Sequence, residues 1–255
     1  MTTILRILGI ISIPIAIVLL GWYSPMFPDW YFYIAIGTVL LTDFMLFLII
    51  PRYAEKSFVY TLTILPLLLV LLGFGVFLLD DSQWMGYAIL FLQTLYLWAY
   101  AWVLWVYFHK HEAYQQRSLI HLNSYASILT FFYSSLVAYG VIYLLNTPWY
   151  YSLAGMLMVT TLVLLHTVWA YGKNVTHMKT FMGTNIVVIV QIWAILLLLP
   201  SIYFVTAILF TIIASIILQM SMYASLRELT KRSIIRTLLI GAGMILLVIA
   251  TSRWR

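Results

Sequence analysis

Stretches of about twenty apolar residues recur along the whole chain, and that recurrence leaves few folds open. About twenty such residues cross the hydrocarbon core of a bilayer as a helix. Nine stretches reach or approach that length, near 5–23, 31–50, 58–79, 84–108, 118–145, 150–171, 180–199, 202–224 and 234–251. The other spanning structure, a β-barrel, would show roughly ten-residue alternating segments, and these runs do not alternate. The connections are too short to fold by themselves. With 65% hydrophobic and 8% charged residues, against roughly 25% charged in soluble domains, the chain has too little polar surface for water. The expected fold is all-α: a polytopic transmembrane helix bundle of about nine spans with short loops, forming one transmembrane domain over 1–255.

Breakers fall where this division needs them. Pro25 and Pro28 follow the first span, Pro51 the second and Asn146-Thr147-Pro148 the fifth, while Pro200 separates the seventh from the eighth. One continuous helix from Thr180 to Tyr223 would be about 66 Å long, so a tight hairpin at Pro200 is expected. Pro14 and Pro66 lie inside spans, where they are tolerated. The stretch at 5–23 lacks a small-x-small cleavage site and reads as a retained span, not a leader.

Charge gives an independent test, because cytoplasmic loops carry the Lys and Arg excess. Arg6, then Arg52 and Lys56, then Lys110 and Arg117, then Lys173 and Lys179, then Arg227, Lys231, Arg232 and Arg236 occupy alternate connections. The remaining connections hold Asp29, Asp80 and Asp81, and only Arg253 and Arg255 at the C-terminus depart from the alternation. The pattern predicts a multi-pass membrane protein with a cytoplasmic N-terminus. The 13 cations form no basic stripe, so nucleic acid is not an expected partner; membrane lipids and proteins within the membrane are.

Four residues are candidates for a proton relay or a substrate site: Asp43, His166, His121 and Ser124. Asp43 lies eight residues from Pro51 and His166 seven from Lys173, depths of about 12 and 10 Å from the same side at helical rise. An intramembrane carboxyl usually faces a bundle interior with a partner, and a nearby His would titrate near neutral pH. The alternative has Asp43 bonded to a hydroxyl such as Thr38 or Thr42, and His166 packing between helices. His121 and Ser124 share a predicted face of the fifth span with Arg117, Ser134 and Ala138 at three- and four-residue steps. That face suits helix packing or the lining of a cavity. Gln93, Asn185, Gln191 and Gln219 read as interhelical glue. Trp98, Trp102 and Trp105 share a face of the fourth span, either an aromatic wall for a lipid-like tail or ordinary packing.

Catalytic signatures are missing from the sequence. It has no H-E-x-x-H, no G-x-S-x-G elbow, no P-loop and no cysteine, and its five lysines lie at span ends or in loops, away from any Schiff-base position. No catalytic residue, metal ligand set or cofactor is expected. The segment His109-Lys110-His111-Glu112 reads as solvated or headgroup-contacting charge, and Asp80-Asp81 alone supplies too few ligands for a divalent ion.

The end of the chain, from Arg232 to Arg255, is an Arg-bearing amphipathic lead into a short apolar helix closing on Ala250-Thr251-Ser252-Arg253-Trp254. It resembles uncharacterised multi-pass inner-membrane proteins of ultrasmall candidate-phylum bacteria, which implies a bacterial inner-membrane location and assigns no activity. The expectation for function is a non-enzymatic membrane subunit or lipid-binding protein of envelope biogenesis. The alternatives are a proton-coupled transporter of a small solute using Asp43 and His166, and a membrane enzyme acting on a polyprenyl-linked lipid with Asp29, Asp80 and Asp81.

Overall fold

A computed structural model describes residues 30–50, 56–79, 83–109, 114–171, 178–199, 202–225 and 230–252. The described residues form eight helices and no strand: α1 (Tyr31–Ile49), α2 (Lys56–Leu79), α3 (Gln83–His109), α4 (Tyr114–Leu145), α5 (Trp149–Ala170), α6 (Lys179–Leu196), α7 (Tyr203–Ser225) and α8 (Lys231–Thr251). Seven of them are long and apolar enough to cross a membrane. The described apolar part of α2, Thr63–Leu79, is shorter, and the predicted span at 5–23 lies outside the described residues. Among the described residues the protein is therefore all-helical, with seven helices long and apolar enough to cross a membrane; the sequence suggests about nine spans, slightly more than the described residues show.

Two compact units divide the chain, Met1–Ala126 and Ser127–Arg255, with the boundary inside α4. In the first, α1 packs on α2 and α3, and α2 packs on α3. Most of these helices are apolar all round, so an apolar stripe cannot choose the buried face; small residues and hydroxyls choose it by letting backbones approach. On α1 the buried set is Tyr31, Ala35, Thr38, Thr42, Leu46 and Ile49, a regular helical stripe. The Tyr31 hydroxyl donates to the Phe74 carbonyl at 2.6 Å, with the two rings edge to face at 5.7 Å. Between α2 and α3 the fit is reciprocal. Gly73 leaves room for the Gln93 amide, and Gly86 for the Phe77 ring. Position 73 opposite 93 and 77 opposite 86 makes the pair antiparallel.

The second unit is pinned by hydrogen bonds from α4 to its neighbours. Tyr139 and Tyr143, four residues apart, donate to the carbonyls of Trp193 and Leu197, each at 3.0 Å. Both numbers rise together, so α4 and α6 run parallel. Ser135 donates to the Ala207 carbonyl at 3.3 Å, while Phe131 meets Phe210 and Phe132 meets Phe204 edge-on, so α7 runs antiparallel to α4. Ser152 of α5 donates to the Ala138 carbonyl at 3.1 Å. Asn146 ends α4 in the left-handed region, φ 50°, a conformation Asn tolerates better than most side chains. Thr147 returns its hydroxyl to the Val141 carbonyl at 2.8 Å, and α5 starts immediately after Pro148. α7 packs on α6; Pro200, where the sequence suggests a tight hairpin, lies outside the described residues. α8 packs on α7, where Gly241 receives the Ile216 side chain.

Candidate functional site

Asp43 sits at the edge of the buried stripe of α1, half-buried and one residue past Thr42. Neither Thr38 nor Thr42 bonds to it as the sequence suggested. Each hydroxyl donates to the carbonyl four residues earlier, Ile34 and Thr38 respectively, at 2.7 Å, because a Thr in a helix finds that acceptor already in place. Among the described residues the Asp43 carboxyl makes no hydrogen bond or ion pair. His166 is buried on α5, its ring 5.8 Å from that of Trp169. Asp43 belongs to the first unit and His166 to the second.

On α4 the predicted polar face divides in two. His121 and Ser124 are exposed, and the Ser124 hydroxyl donates back to the Ile120 carbonyl at 3.1 Å. The buried stripe runs instead through Asn123, Ser127, Thr130, Ser134, Ser135 and Ala138. Ten residues separate Ser124 from Ser134, and at 3.6 residues per turn that falls about 80° short of three full turns. Locally correct steps therefore accumulated an error along a helix of 32 residues. Arg117, the 109–112 cluster, Asp29, Asp80 and Asp81 fall on positions whose side chains lie outside the description.

Trp98 and Trp102 are exposed, and Trp105 is half-buried with its ring 5.6 Å from Trp102. The opposite side of α3, through Gln93, Tyr96, Leu97, Tyr100 and Leu104, makes the packing contacts. Of the four amides read as interhelical glue, Gln93 and Asn185 are buried; Asn185 accepts from Ser221 of α7 at 2.8 Å. Gln191 and Gln219 are exposed, so of the four amides read as glue these two face outward. No cluster of three His, Cys, Asp or Glu side chains occurs among the described residues.

The most distinct surface feature is on α8. Thr230 caps the helix, its hydroxyl accepting from the Ser233 N–H at 3.2 Å, which satisfies one of the orphan donors of the first turn. That cap fixes the register. Lys231 and Arg232 occupy the first turn and Arg236 the next, all exposed. These are three of the four cations whose side chains are described, the fourth being Lys179. They border a groove of about 1010 Å³ that also involves Thr230, Leu239 and Ile240. α8 is the most amphipathic of the described helices and buries one residue, Gly241. Its other side leaves Leu239, Leu246 and Leu247 each about two-thirds exposed. The sequence carried this signal as the Arg-bearing lead into the last span, but composition alone does not reveal that the following helix stays uncovered.

No family model matches the chain, and it matches no curated protein and no solved structure.

Proposed function

We propose that the chain is a non-enzymatic protein of a bacterial inner membrane, acting as a membrane subunit or a lipid-binding protein. The observation that carries the reading is the contrast within the second unit. There Ser135, Tyr139, Tyr143, Ser152 and Ser221 direct their hydroxyls into contacts between helices, while α8 contributes a single buried residue. Polar groups placed this way hold a bundle together, and an apolar helix left open in a lipid environment offers its surface to a partner within the bilayer. Cytoplasmic placement of the N-terminus and of the cationic start of α8 follows from the alternation of Lys and Arg along the chain.

The test is extraction of the full chain in native membrane discs, followed by native mass spectrometry. Retained lipid or a stoichiometric membrane partner is expected. A bare chain carrying neither would overturn the proposal.

A second reading, proton-coupled transport of a small solute, rests on Asp43. A carboxyl within an apolar helix, without a bonded partner among the described residues, marks a candidate step on a proton pathway. Solute uptake by reconstituted vesicles, driven by a pH gradient and lost in Asp43→Asn, would favour it; uptake with unchanged pH dependence in that variant would remove it.

A further inference from the structure

We propose that the open face of α8 is a binding site for an anionic glycerophospholipid, with its phosphate at Lys231, Arg232 and Arg236 and its acyl chains along the aliphatic stripe beyond. This deepens the lipid-binding reading above and rests on it.

Charge and length both point to this occupant. At 3.6 residues per turn, Arg232, Ile235, Arg236 and Leu239 share one face of α8, and Gly243, Leu246 and Leu247 continue it toward the C-terminus; all seven are exposed. Gly241, the residue buried against α7, lies on the opposite side. Cations thus stand at one end of a stripe that is otherwise apolar. No acidic residue lies in the first turn. Between 227 and 236 the sequence holds Arg227, Lys231, Arg232 and Arg236 against Glu228 alone. From Arg236 to Leu247 the helix rises about 16 Å at 1.5 Å per residue, close to the roughly 15 Å depth of one leaflet's hydrocarbon. A phosphate bound at the basic end therefore leaves its acyl chains the full aliphatic stripe to lie on.

The groove accommodates the headgroup side of this arrangement, since its walls are the cations, the Thr230 cap and the first aliphatic residues. Lys and Arg stems extend along apolar surface while their charged heads reach the interface, so three such side chains can converge on one phosphate. A neutral, zwitterionic lipid would fill the stripe equally well but would place its own ammonium among these cations. Preference for a net negative headgroup follows.

The experiment is reconstitution of the full chain into nanodiscs containing equal amounts of phosphatidylglycerol and phosphatidylcholine, with retained lipids counted by native mass spectrometry. Retention of phosphatidylglycerol over phosphatidylcholine is expected, weakening as salt rises. Each cation is worth about fivefold in affinity for an anionic surface, so the K231Q/R232Q/R236Q variant should lose about a hundredfold, and inorganic phosphate should not compete. Equal retention of both lipids, unchanged preference in the triple variant, or displacement by inorganic phosphate would each overturn the proposal.

Because the triple variant can fail by misfolding, a photoreactive phosphatidylglycerol is also applied to the unsubstituted chain. Adducts on α8 between 235 and 250 support the site. Adducts confined to other helices would overturn it while leaving general lipid binding intact. Loss of all retained lipid and protein from the unsubstituted chain is the separate result that removes the parent reading.

Discussion

Substituting Tyr139 separates the two contributions it makes to the second unit. Its hydroxyl donates to the Trp193 carbonyl at 3.0 Å, and its ring stacks on Trp193 at 5.6 Å with a 17° interplanar angle. Tyr139→Phe deletes the hydroxyl and keeps the stack. The carbonyl left behind still accepts the Leu197 N–H at 3.2 Å, so it is not orphaned and no full desolvation penalty applies. The expected cost is about 0.6 kcal/mol, the average for a bond between membrane helices, with about 1.7 as the upper bound. Tyr139→Leu also removes the stack, which adds about 0.5–1.5 kcal/mol and brings the total to about 1–3 kcal/mol. In a double-mutant cycle with Trp193→Leu, the coupling should recover most of that stacking increment. The assay is reversible unfolding in mixed micelles on titration with sodium dodecyl sulfate, followed by far-ultraviolet circular dichroism. A Tyr139→Phe cost well above about 2 kcal/mol, or a coupling near zero, would refute the reasoning, because either result means the two side chains do not meet as described.

Glycine substitutions supply matched controls in the same assay. Gly73→Leu should destabilise by roughly 1–3 kcal/mol, because a Cβ there meets the buried Gln93 amide, whereas Gly37→Leu, with nothing within 4 Å, should be close to neutral. Gly241→Leu should loosen α8 from α7 by colliding with Ile216, and Gly243→Leu on the open side should not; protease sensitivity of the 226–229 connection reads the difference. Asn146→Gly should be tolerated, while Asn146→Ile should cost about 1–2 kcal/mol for holding a β-branched side chain at positive φ.

Much of the helical framework is legible in the sequence, because the length needed to span hydrocarbon is a strong constraint. Expected spans at 31–50, 84–108, 150–171 and 202–224 lie within a residue or two of α1, α3, α5 and α7. The largest difference at a described start is α4, which begins at Tyr114 where 118 was expected, since the polar Gln115, Gln116 and Arg117 lower hydropathy without interrupting the helix. Helix faces were much less legible. In a soluble helix an apolar stripe marks the core, but here both the core and the surroundings suit Leu and Ile. The buried side is instead set by where small side chains and hydroxyls meet a particular neighbour. Ser124 and Ser134 look alike in sequence, yet Ser134 is buried and Ser124 is not. The matched depths of Asp43 and His166 carry the same limitation, because depth is a property of one helix and contact a property of two. The α8 cations were visible as charges at a span edge; that the stripe beyond them stays open depends on how α7 and α8 cross.

Because the chain has no cysteine, single cysteines along α8 can be spin-labelled without background. The decisive measurement is collision of those labels with oxygen, which is enriched in bilayers, against a water-soluble nickel complex, in the reconstituted protein. Labels at positions 239, 243 and 246 should favour oxygen, with protection at 241 and a repeat of about 3.6 residues. Nickel accessibility along the whole helix, or uniform protection from both reagents, would contradict a membrane-embedded bundle whose last helix keeps one face open to the bilayer.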